Sequence, residues 1–147
     1  DAVKLAGHSC PTVAGAWLMT RAALARLYPG EAPRRGEVRV ELREPQDAGV
    51  VGVVASVATL VTGAAGVGGF KGLAGRHSRR NLLAFDVPMH GEMRFTRLDN
   101  GHSVEVSHQL EAVPRPAVCS SASTSVPSGA PASASARARS IVDPIVA

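Results

Sequence analysis

Five consecutive residues, Gly7-His8-Ser9-Cys10-Pro11, place an imidazole and a thiol two positions apart. Proline is well suited to the first turn of a helix, where a missing N–H has no partner to lose, so Pro11 predicts a helix start immediately after the thiol. The exposed N–H groups at such a start favour negative charge, and a cysteine held there is biased toward its thiolate. The thiolate is the form that binds soft metals or attacks electrophiles. Gly7 permits tight passage of the backbone, so His8 and Cys10 can point at one space. By residue type alone there is a plainer alternative: a Cys serving as a small buried hydrophobe beside a solvent-facing His.

A second stretch invites a chemical reading. Gly63 to Gly75 contains six glycines, together with Lys71. Successive glycines can aim backbone N–H groups at an anion, and a lysine adds a point charge. The functional version has Lys71, Arg76, Arg79 and Arg80 holding a phosphate or carboxylate of a ligand near Cys10. The loop lacks the Gly-Lys-Ser/Thr ending of a phosphate-binding P-loop, and it does not fit the dinucleotide fingerprint of Gly-x-Gly-x-x-Gly. The plain alternative is that the glycines make tight turns and the arginines form a solvated face. The remaining histidines, His77, His90, His102 and His108, have no spacing that selects a metal. Asp86 and Glu92 stand on strand ends and form no carboxylate dyad.

These residues need elements to hold them. From Pro11, the apolar residues Val13, Trp17, Leu24, Leu27 and Tyr28 recur at helical spacing until Pro29-Gly30. Glu37 to Arg43 alternates polar and apolar without a fault, which predicts a strand with one buried face, closed by Pro45. Val50 to Thr62 is apolar throughout, and periodicity cannot choose between strand and helix. After the glycine-rich loop come three short strand-like runs, Asn81 to Phe85, Glu92 to Leu98 and Ser103 to His108. Asp99-Asn100-Gly101 between the last two predicts a hairpin.

His-x-Cys-Pro at the start of a helix resembles the signature of the FmdE family of formylmethanofuran dehydrogenase components. The similarity continues through Leu60-Val61-Thr62-Gly63, Gly69-Phe70-Lys71-Gly72 and Arg79-Arg80-Asn81-Leu82-Leu83, and covers Lys4 to Pro116. The resemblance implies an α+β domain with the order helix, strand, helix, three strands, and a mixed sheet of the FwdE/GAPDH domain-like kind. It thereby makes Val50 to Thr62 a helix. It also implies a homodimer that binds a divalent transition metal, zinc above all, through His8 and Cys10. The function implied is metal binding, accessory to molybdenum or tungsten redox chemistry on a C1 or small organic substrate. The alternative is a metal-free module for a small anionic ligand or cofactor. The chain departs from the family at the third ligand, where Thr62-Gly63 is followed by Ala64-Ala65 rather than by Cys-Thr. With no Cys-x-x-Cys pair there is also no zinc ribbon. His8 and Cys10 therefore form either a two-ligand site or one finished by other groups or by a second copy of the chain.

Composition bounds the rest. At 147 residues there is room for one ordinary domain. Aromatics are 3% against 45% hydrophobic residues, so the core must be Val, Leu, Ala and Gly packed closely. The charge of +4, without interleaved aromatics, argues against nucleic acid. Two cysteines, Cys10 and Cys119, make no disulfide framework and are read as free thiols in a reducing compartment, here the cytoplasm. No leader pattern is visible at the first residue, Asp1, and an upstream segment is expected to have been removed. No run is long enough to span a bilayer. From residue 117 onward, Ser, Ala, Pro and Arg dominate. The domain is therefore expected to end near Pro116, ahead of a disordered tail over 117–147.

Overall fold

The structure is a computed structural model that describes residues 1–108. The expected boundary at Pro116, the second thiol Cys119 and the expected tail lie outside the described residues. The elements run α1 (Ala2–Ala6), α2 (Pro11–Leu27), β1 (Val38–Leu42), α3 (Val51–Thr62), β2 (Leu83–Ala84), β3 (Met93–Arg97) and β4 (Ser103–Val106). From α2 onward this is the expected helix, strand, helix and three strands. The short α1 ahead of it is an addition that the sequence did not announce.

The four strands form one mixed sheet in the order β2-β1-β3-β4. β1 pairs with β2 in parallel, and β3 is antiparallel to both β1 and β4. The fault-free alternation of β1 becomes its two faces. Val38, Val40 and Leu42 are buried, and they stand opposite Arg97, Phe95 and Met93 of β3 in register. Met93 and Phe95 continue that face toward Val106 and Val104 of β4. Helices α2 and α3 pack on each other and against this apolar face. Arg39, Glu41, Arg94, Thr96 and Glu105 alternate with the apolar positions and so face the other way, which is the ordinary patterning of a sheet covered on one side.

Phe95 has no exposed surface, and it is joined in the core by Leu27, Val38, Val40 and Met93. Around these the helices contribute alanines: Ala16, Ala23, Ala55 and Ala58, all at most 3% exposed. Small side chains let α2 and α3 approach closely, as the scarcity of aromatics required. The two buried threonines, Thr20 and Thr62, return their hydroxyls to the carbonyls of Ala16 and Ala58 at 2.8 Å, so neither leaves a polar atom unpaired.

Two expectations change in detail. Trp17, counted with the buried stripe of α2, is 39% exposed, and the stripe runs instead through Val13, Ala16, Thr20, Ala23, Leu24 and Leu27. The run Asn81 to Phe85 contracts to the two residues of β2, because Asn81 and Asp86 on either side both take positive φ, 57° and 58°. A strand cannot continue through that backbone region. No helix of the described residues is long and apolar enough to cross a membrane.

Candidate functional site

The turn between α1 and α2 is built by Gly7 and Pro11. Gly7 ends α1 in the left-handed conformation, φ 76°, which a residue with a Cβ enters only at a cost. Pro11 opens α2 and leaves Cys10 at the N-cap with extended backbone angles, φ −146° and ψ 166°. His8 lies between the two helices, exposed, and its ring Nδ1 lies 3.0 Å from the Ala6 carbonyl oxygen. That contact is a hydrogen bond when Nδ1 carries the proton, which leaves Nε2 with its lone pair available.

Cys10 is half-buried and is a free thiol. It rests on a small apolar cluster of Val13, Ala16 and Val57, with Ala2, Ala6 and Val54 around it. The sulfur closes no N-cap hydrogen bond in the geometric sense. Even so, the Val13 N–H at the helix start is the largest influence holding the thiol below its ordinary pKa, opposed by partial desolvation and assisted by His8 and the Thr12 N–H. His8 is shifted the other way. The Ala6 carbonyl and then the Cys10 sulfur raise its imidazole above the ordinary value. Each partner thus favours the charged form of the other. His8 and Cys10 therefore share the turn between α1 and α2, where each influences the other's titration.

The other expected ligands do not join them. His77 is exposed in the loop with φ 59°, and His90 is exposed with its carbonyl taken by Arg43. His102 sits in the β3–β4 hairpin, where its N–H is donated to the Asn100 side chain. His108 lies against Gly15 of α2. Asp86 is exposed with a left-handed backbone and Glu92 is partly exposed, so neither adds a donor. Among the described residues no group of three or more His, Cys, Asp or Glu side chains comes together in a way that could hold a metal ion. Ala64, where the resemblance led to the expectation of a further cysteine, has no exposed surface and packs in the main core rather than in the small cluster that touches Cys10. Two donors fall short of the three or four that a zinc centre takes from protein.

The basic cluster also divides. Arg80 turns its Nε back to the Val67 carbonyl at 3.0 Å, a contact inside the loop. Lys71 and Arg76 are exposed. Arg79 leaves the loop and lies against Gly36 and Gly63, beside Arg35. The glycines mainly serve the backbone. A Cβ at Gly72, whose φ is +89°, would stand 2.3 Å from the Arg76 carbonyl oxygen, and one at Gly69 would stand 2.9 Å from that of Arg79. Of the four expected anion-binding residues, Arg79 alone lies beside another guanidinium group, that of Arg35, which the sequence did not single out. Arg35 follows another arginine in a loop and carries no signal in its spacing; Trp17 is hidden by a helical period that counts it as core.

No family model matches the chain, and neither the curated proteins nor the solved structures contain a match to it.

Proposed function

We propose that this chain is an FmdE-like domain that presents His8 and Cys10 as half of a site for a soft divalent metal such as zinc. The remaining ligands come from a second copy of the chain or from an incoming molecule. One observation supports this reading above the others: the Cys10 thiol is held below its ordinary pKa by the α2 N-terminus and by His8, whose own Nδ1 faces the Ala6 carbonyl. A thiolate and an imidazole with one nitrogen engaged by backbone and the other left available are the donor types zinc selects. When bound, the metal supplies Lewis acidity or a structural tie between copies. In this chain Cys10 provides the anionic donor, His8 the neutral one, and Gly7 and Pro11 fix the angle between them.

The test is elemental analysis of the purified protein, together with thermal melts with and without zinc, in a Cys119→Ser background. Zinc is expected to raise the Tm, and His8→Ala or Cys10→Ser to abolish the rise. Ala64→Cys is expected to leave the rise unchanged, because that position is fully buried in the main core, away from the cluster on which Cys10 rests. The reading is abandoned if no metal accompanies the protein and zinc leaves the Tm of the parent unchanged. The anionic-ligand alternative does not draw on Lys71, Arg76 and Arg80 as a set, because Arg80 is engaged within its own loop. It rests on Arg79 and what that residue meets.

A further inference from the structure

Beside Ser9 a cleft of about 700 Å³ opens between α1, α2 and α3. Its walls are mostly apolar, with Val13 and Trp17 from α2 facing Leu60 and Val61 from α3. Arg35 closes one part of the wall, donating a 2.8 Å hydrogen bond from Nη1 to the Leu60 carbonyl. Its Nε and that of Arg79 each come within 3.5 Å of the point where a side chain at Gly63 would begin. A glycine at 63 therefore leaves room in which two guanidinium groups meet. Among the described residues neither makes an ion pair with a carboxylate. Arg35 is on the cleft wall, while Arg79 stands by Gly63 outside the lining residues; the two like charges repel, and an anion that reaches Arg35 from the cleft relieves that repulsion.

We infer that this cleft binds a small amphipathic anion, with its aliphatic or aryl body over Trp17, Val13, Leu60 and Val61 and its carboxylate or phosphate at Arg35, whose positive charge is reinforced by Arg79 behind it. The volume is in the range of small-molecule sites, and the lining follows their pattern of apolar walls with a few placed polar groups. Among the described residues Asp1 is the carboxylate on the wall, so the head group is oriented away from it and toward Arg35. The site does not involve Cys10 as a ligand and is independent of the metal reading.

Trp17 is the single tryptophan of the chain and lines the cleft, so its fluorescence reports occupancy. With EDTA present, the protein is titrated with decanoate, octyl phosphate, decanol and inorganic phosphate below their micelle concentrations. Decanoate and octyl phosphate are expected to change the Trp17 emission saturably, with the stronger of the two identifying the head group. Decanol and inorganic phosphate are expected to bind at least about tenfold more weakly, since each lacks one half of the recognition. Arg35→Gln and Arg79→Gln are each expected to weaken decanoate by about tenfold or more. Ala14→Phe, at an exposed α2 position on the cleft wall, is expected to block it without touching the core. Arg79→Gln and Ala14→Phe keep the test readable if Arg35→Gln, which loses a backbone contact, does not fold. Equal binding of decanol and decanoate, or no saturable change with any probe, overturns the proposal. So does an emission that shifts on dilution without ligand, because a second copy then occupies the cleft.

Discussion

At Cys10 the chemistry is set by three groups within three residues on either side. The Val13 N–H acts first and His8 after it, both lowering the thiol, and partial desolvation pulls the other way. A thiol depressed in the fold stabilises it above the unfolded value, and that contribution fades as pH falls through the folded one. His8, raised in the fold, contributes below its unfolded value and loses the contribution as pH rises through the folded one. The thiol's contribution is thus fullest at alkaline pH and the imidazole's at acid pH. In a Cys119→Ser background, iodoacetamide alkylation of Cys10 should have a pH midpoint below that of free cysteine, because only the thiolate reacts. His8→Ala should move the midpoint up part of the way, since the helix N–H groups remain. An ordinary midpoint unaffected by His8→Ala would show that the sulfur is only a packing atom. The spacing of His8 and Cys10 made this pair visible in the sequence. Arg35 and Arg79 were not legible as a pair, because they are brought together through Gly36 and Gly63 across 44 positions of chain.

The same contrast governs the elements. β1 could be read from alternation and the β3–β4 hairpin from Asn100-Gly101, because both signals are local. α3 could not be read from its own pattern: Val51–Thr62 is so largely apolar that no period stands out, and its buried residues Ala55, Val57, Ala58 and Thr62 mark the packed side only in the folded chain. α1, five residues with none buried, is too short to show a period. Gly15 is the clearest case of an element shaped by a distant residue. Glycine inside a helix costs about 1 kcal/mol relative to alanine, yet here it lies in the middle of α2. A Cβ there would stand 2.6 Å from the ring of His108. Gly15→Ala alone should therefore bring little or no gain, as the imidazole must swing away. In a His108→Ala background the same change should stabilise by about 1 kcal/mol, the ordinary propensity difference. Urea melts of the four proteins in this cycle measure the coupling. Equal effects of Gly15→Ala in both backgrounds would mean that His108 does not rest on α2.

Across the whole molecule, the helices cover one face of the sheet, and the opposite face depends on charge. Arg94 in β3 is its centre. It reaches Glu41 of β1 at 3.4 Å, Glu105 of β4 at 3.1 Å and the carbonyl of Pro88 at 3.3 Å, so one side chain ties three strands to the loop after β2. Glu105 in turn accepts the Gly91 N–H at 2.9 Å. That contact comes first in holding the Glu105 carboxyl below its ordinary range, with Arg94 adding to it. A carboxylate depressed in this way stabilises the fold above its unfolded pKa, and the effect is lost as pH falls through the lower folded value. Arg94→Met keeps the apolar stem but leaves Glu41 and Glu105 facing each other without a cation. At neutral pH the variant should melt well below the parent, by more than Arg34→Ala, whose pair with Glu37 is exposed on both sides and contributes little. Toward acid the Glu105 carboxyl protonates, the repulsion in the variant disappears and the parent loses that ion pair, so the two melting temperatures should converge. Circular dichroism melts across the carboxylate range follow this directly. A deficit that stays constant with pH would assign Arg94 to packing through its stem, with the three strands held by the apolar face alone.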